Sequence, residues 1–391
     1  MIPSPHLSDT ILPPATLGLL GGGQLGRFFV GAAHELGYRV VVLDPDPHSP
    51  AGKIADDHII AAYEDVAALE RLTQTCAAVT TEFENVPANA LAYLAKFIPA
   101  RPSADAVATC QNRSAEKHFL QSNGFPHAPY ADIHHPADLD TVSVKLFPGI
   151  LKAARFGYDG KGQARVASRD EARLAFAKFK GEPCVLERMM PLDCELSVVL
   201  ARGEGGMVRC FPVAQNQHRH GILDISSAPA RAADQLQIDA ALIAGGIAQK
   251  LNYVGTMAVE FFVVAGTLYV NEMAPRPHNS GHYSIDSCFT SQFEQQVRAL
   301  CNLPLGDPSS HSAAVMVNLL GDLWYQRDAH HSHEPDWPRL LAVPNLKLHL
   351  YGKHHARPGR KMGHFTVLGN DPQATYELAL ATRRQIGIAD D

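Results

Sequence analysis

Two acids in one apolar segment offer the clearest chemistry. Between Met257 and His282 two runs rich in β-branched and aromatic residues meet at a small turn, and each carries one glutamate, Glu260 and Glu272. The alternation reads as a β-hairpin. A three-residue loop, Ala265-Gly266-Thr267, pairs Val264 with Leu268 and sets Glu260 opposite Glu272. A two-residue turn with regular pairing sets Glu260 opposite Asn271 and sends the two acids to different faces. Like charges facing each other on an apolar sheet are destabilising unless something positive lies between them. A hard divalent cation, which takes oxygen ligands and bridges to phosphate, meets that need.

Further groups suit a phosphorylated ligand. Lys152 ends a short apolar run before Arg155-Phe-Gly157-Tyr158-Asp159-Gly160-Lys161-Gly162-Gln163. Closely spaced glycines let backbone N–H groups turn toward an anion, and the cations suit a polyphosphate. An idle hairpin turn has the same composition, and G-x-x-x-x-G-K-[ST] is absent, so P-loop chemistry is not implied. Gly21, Gly23 and Gly26 form G-x-G-x-x-G, and Asp44 stands where a ribose-binding acid would. Alone, that pattern points to a dinucleotide-dependent oxidoreductase, although any tight strand-to-helix turn favours glycine. Glu82 and Glu84 follow the strand-like Ala77 to Thr81, where ligands gather in α/β sheets.

These residues need elements to hold them. From Leu17 the order is strand, glycine turn, helix to about Leu36, then the strand Tyr38 to Asp44, a βαβ unit of a parallel sheet. Helices are expected near Asp65 to Thr75, from Arg169 to Phe179 and from Gln235 to Leu251, and a boundary near residue 110. The 391 residues fit two or three domains. The pattern sets off an extension over 1–16 and a βαβ domain over 17–110.

Composition narrows the partners. With 46% hydrophobic and 19% charged residues and a formal net charge of −6, the chain has no electrostatic case for nucleic acid or a membrane surface. Small-molecule partners are expected. Seven scattered cysteines without a C-x-x-C pair favour reduced thiols and a cytoplasmic location. Neither a signal-peptide pattern at the start nor a later run of membrane-spanning length is visible.

The order of the motifs is more specific than any of them. A glycine-rich βαβ unit, Arg113, Lys152 before a glycine loop, Glu187, Glu195, Glu260 and Asn271-Glu272 together resemble the ATP-grasp ligases. Within them, Gly21 to Arg27, Thr81 to Val86, Gly157 to Gln163, Asn271 to His282 and Arg357 to His364 are similar to the N5-carboxyaminoimidazole ribonucleotide synthetase family of purine biosynthesis, over roughly residues 17 to 368. The resemblance implies a mixed α/β and α+β fold: a parallel-sheet pre-ATP-grasp domain, a two-part ATP-grasp domain over 111–320 and a small C-terminal domain over 321–391. It also implies a reaction, in which ATP, bicarbonate and 5-aminoimidazole ribonucleotide give the N5-carboxylated nucleotide, ADP and phosphate through a carboxyphosphate-type intermediate. A homodimer is implied as well.

Residue roles follow from the same resemblance. Arg113 and Lys152 would contact ATP phosphates and Gly157, Tyr158, Asp159, Gly160, Lys161, Gly162 and Gln163 would close over them. Glu187, Arg188, Met189 and Met190 would form the adenine-binding strand, Glu195 would take the ribose hydroxyls and His218 would lie near the phosphates. Glu260 and Glu272 would bind Mg2+ (or Mn2+), with Asn271 alongside. Gln24 and Leu25 on the glycine turn, Glu82, Tyr158, Asp159, Arg276, Lys353 and Arg360 would meet the nucleotide being carboxylated, with Tyr158, Asp159 and Arg276 in the chemistry. Two features depart from pattern: Ala274 stands where many ATP-grasp enzymes carry a further metal ligand, and the spacing from Lys353 to Arg357, through His354-His355, is one residue long.

Overall fold

Short apolar runs separated by amphipathic helices build the first sheet. In the computed structural model, which describes residues 9–155, 162–326 and 330–389, strands β1 (Thr16–Leu20), β2 (Arg39–Leu43), β3 (Asp57–Ile59) and β4 (Ala78–Thr81) form a parallel sheet in the order β3-β2-β1-β4. Their residues are buried on both faces, as parallel strands under helices require. Helix α1 (Gln24–Glu35) covers one face, packing Leu25, Phe29 and Val30 with the helix Gln292–Leu300 against Leu17, Leu19, Val40 and Val42. Helices α2 (Val66–Thr75) and α3 (Ala88–Leu94) cover the other. Every connection runs from a strand's carboxyl end, so the turns after β1 and β4, with the glycines and Glu82, share one rim.

Helices α4 (Ala104–Cys110) and α5 (Arg113–Ser122) lead out of this domain, their first turns capped by the side chains of Ser103 and Asn112. A small antiparallel sheet follows, β5 (Tyr130–Ile133), β6 (Gly149–Ala153), β7 (Gln163–Val166) and β8 (Cys184–Arg188), in the order β5-β8-β6-β7. The helix Arg169–Lys178 packs on it. The strand expected to run from Glu187 to Met190 ends at Arg188, and Met189 and Met190 begin the link onward. The loop candidates Gly157, Tyr158, Asp159, Gly160 and Lys161 lie outside the described residues.

The remaining strands form one antiparallel sheet: β9 (Cys194–Arg202), β10 (Val208–Cys210), β11 (Ala214–Arg219), β12 (Ile222–Ala228), β13 (Gly255–Val264), β14 (Thr267–Ala274), β15 (Ala313–Leu320), β16 (Leu346–Leu350) and β17 (Lys361–Gly369). Its order is β14-β13-β9-β11-β12-β15-β17-β16, with β10 beside β9. The helix Asp234–Lys250 packs on its β9, β13 and β14 part, and the helix Pro372–Gln385 on β15 and β17. The fold is therefore parallel α/β at the N-terminus and antiparallel α+β beyond it.

The β13–β14 hairpin takes the shorter of the two turns. Its loop has two residues, not three: Val264 pairs with Thr267, and Ala265 (φ 47°) and Gly266 (φ 72°) sit in the left-handed region of a type I′ turn. Regular pairing would then set Glu260 opposite Asn271. Instead the register shifts between Glu260 and Phe261: Phe261 pairs with Val270 while Glu260 pairs with Glu272, leaving Asn271 as the extra residue of a β-bulge. The two acids face each other because of the bulge, not the turn.

Candidate active site

A cleft of about 1200 Å³ opens where the three parts meet, lined by the glycine turn, β6 and β7, the β13–β14 hairpin and the segment Lys353 to Lys361. Of the expected site residues it is lined by Gln24, Leu25, Glu82, Arg113, Lys152, Gln163, Glu195, His218, Glu260, Asn271, Glu272, Arg276, Lys353 and Arg360. Glu187, Arg188, Met189, Met190 and Gly162 do not line it, and Arg188 faces a shallower concavity beside Tyr130 and Asp132 instead.

The glycine turn holds an anion from within the chain. A helix N-terminus of this kind attracts an anion, but the chain supplies its own. Glu82 accepts hydrogen bonds from Gly23 N–H (2.7 Å) and Gly26 N–H (3.0 Å). A Cβ at residue 23 would stand 2.7 Å from Glu82 Oε1, so a larger residue there would push the carboxylate off the amide. Asp44 is equally committed, accepting from Gly22 N–H and from the Tyr63 hydroxyl, both at 2.7 Å. It therefore does not act as a free ribose-binding acid, and the dinucleotide reading loses its second anchor. Burial raises the Glu82 carboxyl above its ordinary range, opposed by the two amides and by Arg276. The turn lines the cleft with Gly22, Gly23, Gln24 and Leu25.

Opposite, the hairpin acids sit among cations. Arg113 Nη1 lies 3.3 Å from Glu272 Oε2. Against the upward push of burial, Arg113, Lys152 and Arg276 hold Glu272 below the usual carboxylate range. Glu260 goes the other way: burial, with Glu272 and Glu195 adding to it and His218 opposing, pushes it up to about 7. Asn271 Nδ2 lies 3.5 Å from Glu260 Oε2, while Asn271 Oδ1 is buried without a hydrogen-bond partner. Two facing carboxylates and an orphaned amide oxygen are an all-oxygen donor set, so these residues fit a hard cation. Among the described residues no group of three or more His, Cys, Asp or Glu side chains is arranged to hold a metal.

Behind the cleft lies a buried ion network. Lys152 Nζ meets Glu187 Oε2 at 3.0 Å, and Lys117, with no exposed surface, lies 3.6 Å from the same oxygen. Although burial acts to raise it, Lys152 and Lys117 bring Glu187 down to about 2. Glu187 thus orients Lys152. Glu195 pairs with His218, and burial of His218 is outweighed by Glu195 and Glu260, which raise it. Arg276 is held by Glu84, with Nε 2.7 Å from Oε2. Lys353 Nζ donates to the Lys361 carbonyl at 2.6 Å, and Arg360 Nη1 donates to the His355 carbonyl at 2.8 Å.

Three model families tile the chain: a ribonucleotide synthetase preATP-grasp domain over residues 14–111, an ATP-grasp domain over 118–293 and a phosphoribosylaminoimidazole carboxylase C-terminal domain over 314–377. The N5-carboxyaminoimidazole ribonucleotide synthase of Bacillus subtilis is 42% identical over 362 residues, 92% of this chain and 92% of its own. The chain belongs to the N5-carboxyaminoimidazole ribonucleotide synthase family. A Brucella melitensis synthase is 42% identical over 364 residues, covering 91% of this chain and 97% of that one. Among solved structures, an ADP complex of N5-carboxyaminoimidazole ribonucleotide synthetase superposes with a TM-score of 0.89 at 39% identity, covering 96% of this chain and 98% of the other. The Aspergillus clavatus synthase, in complex with ADP and 5-aminoimidazole ribonucleotide, gives 0.85 at 31% identity over 95% and 99%.

Within this synthase family fold, two partners and one pairing escaped motif reading. Glu116 and Lys117 sit on the same face of α5 as Arg113, and the i, i+3, i+4 spacing in Arg113-Ser-Ala-Glu-Lys117 was the available signal. The Glu84–Arg276 pair had none, because its members are far apart in sequence and meet only across a domain junction.

Proposed function

We propose that this chain is an ATP-dependent carbon–nitrogen ligase that carboxylates 5-aminoimidazole ribonucleotide with bicarbonate, releasing ADP and phosphate, in purine biosynthesis. The observation that carries the reading is the bulged hairpin: Glu260 and Glu272 face one another beside Arg113 and Lys152, in a cleft shared with the glycine turn and the basic segment Lys353 to Lys361. A bicarbonate oxygen attacks the γ-phosphorus of ATP, giving ADP and a carboxyphosphate-type intermediate. The amine of the nucleotide then attacks its carbon, and phosphate leaves.

In this reading Arg113 and Lys152 bind the phosphates of ATP, Lys152 being aimed by Glu187. Glu195 takes the ribose hydroxyls, with His218 locked beside it. Glu260 and Glu272 would hold Mg2+, for which Mn2+ can substitute, and such an ion would supply charge neutralisation at the phosphoryl group when bound. On the acceptor side Gln24, Leu25, Glu82, Lys353 and Arg360 receive the nucleotide. Arg276, oriented by Glu84, offers a fixed cation to the carboxyl group in transit. The remaining assignments are Tyr158 and Asp159 in the chemistry, Gly157 to Gln163 as the loop over the phosphates, Glu187 to Met190 beside adenine, the divisions at 16, 110 and 320, a homodimer and a cytoplasmic location. Among the described residues no helix is long and apolar enough to cross a membrane.

The test is phosphate release from Mg-ATP with and without 5-aminoimidazole ribonucleotide and bicarbonate. Stimulation requiring both is expected, and no stimulation in folded protein that binds ATP would refute the acceptor assignment.

A further inference from the structure

The β-bulge at Asn271 decides which way Glu272 points, because a one-residue slip turns a strand's side chains to the opposite face. The turn does not impose it, since Ala265-Gly266 alone specifies regular pairing. Something else must hold the extra residue. β14 is the edge strand of its sheet, so its outward backbone groups need partners. Val270 N–H donates to the Pro126 carbonyl (2.8 Å), Lys117 Nζ donates to the Asn271 carbonyl (2.9 Å), and Met273 N–H donates to Glu116 Oε1 (2.5 Å). Val270 and Asn271 are consecutive, yet each turns a backbone group away from β13. A regular strand alternates sides, and a bulge does not.

Helix α5 therefore grips β14 on both sides of Glu272, while Arg113, one turn earlier on the same helix face, meets the Glu272 carboxylate itself. Lys117 has no exposed surface and Glu116 has 1%. Burying two charged side chains is costly unless each is paired. Lys117 is paired with Glu187 as well, tying the strand position to Lys152 through one shared carboxylate oxygen.

We infer that Glu116 and Lys117 are positioning residues that hold the Asn271 bulge, and so set Glu272 opposite Glu260 for the divalent cation. This rests on the metal reading above. Neither side chain touches ligand; they act on the backbone that carries one.

The test is Mn2+ binding to the ADP complex, read by electron paramagnetic resonance of free Mn2+, in wild type, Glu116→Leu, Glu116→Gln and Glu272→Gln. ADP affinity in EDTA is measured alongside. Loss of an outer-shell partner of a metal site typically costs about 10–100-fold in metal affinity. Glu116→Leu is expected to weaken Mn2+ at least about tenfold while metal-free ADP binding stays within about twofold; Glu116→Gln, whose amide oxygen still accepts from Met273 N–H, stays within about twofold for both. Wild-type Mn2+ affinity in Glu116→Leu, with loss in Glu272→Gln, overturns the inference and leaves the metal reading standing. Wild-type affinity in both removes the metal reading and the inference with it. If Glu116→Leu does not fold, Glu116→Asp, which shortens the arm and keeps the charge, should show the same loss, and wild-type Mn2+ affinity there overturns the inference.

Discussion

Replacing Glu272 by glutamine separates a metal-binding role from a structural one. The substitution keeps the side-chain volume, so no cavity forms. It removes the partner of Arg113 at 3.3 Å, in a half-buried pair whose side chains are 17% and 36% exposed, a loss on the order of 1 kcal/mol. It also removes the repulsion between Glu272 and Glu260, which face each other across the bulge, so part of that loss is offset. The expected net change in stability is below about 1 kcal/mol, a shift in Tm of no more than about 2–4 °C. Function should change far more. Losing one preorganised group aimed at developing charge costs about 2.7–4 kcal/mol, or about 10²–10³ in kcat. The assay is kcat for phosphate release at saturating substrates over a magnesium titration, with calorimetric Tm on the same preparations. A near wild-type kcat at every magnesium concentration would refute the reasoning. So would a kcat loss matched by a large fall in Tm, because the residue would then be holding the fold.

Other expectations rest on different contacts. Glu82→Ala leaves the Gly23 and Gly26 amides without their acceptor and should cost about 2–4 kcal/mol in urea unfolding, with Glu82→Gln losing less than half as much; equal losses would refute the amide account. His282 and His364, whose ring centroids lie 4.7 Å apart with the planes tilted by 31° and no exposed surface, are held well below the ordinary value of 6.5 by burial and by the neighbouring His349, with Lys361 and Arg276 adding to this at His282. Above pH 6.5 both are neutral folded or unfolded. As pH falls below it the unfolded chain takes up protons that the folded chain refuses, so stability should drop by about 1.4 kcal/mol per pH unit per histidine. Because Glu260, raised to about 7, contributes the opposite slope over the same window, the check is the difference between wild type and His364→Gln in denaturant melts at pH 7 and pH 5.5, and equal slopes would contradict it. Ala265→Asn, placing a residue suited to positive φ in the type I′ turn, should raise stability by about 0.5–1 kcal/mol; destabilisation would count against the turn assignment.

Much of this protein was legible in its residues. The βαβ unit, the helices near Asp65, Arg169 and Gln235, and the hairpin with its two acids all follow from local periodicity and turn chemistry, which neighbours in sequence decide. The ordered motifs identified the family and, with it, residues that the fold gathers into one cleft. The tertiary structure decided what local rules cannot carry. Gly21 to Gly26 reads as a site for an outside anion, but Glu82, brought from another strand, fills it. The hairpin turn, taken alone, sends Glu272 to the wrong face; α5, packed across the edge of β14, supplies the contacts of a bulge. Arg276 reads as one cation among many until Glu84 meets it across a domain junction. In each case the deciding partner lies dozens of residues away, and its effect depends on hydrogen-bond geometry that only the packed chain creates.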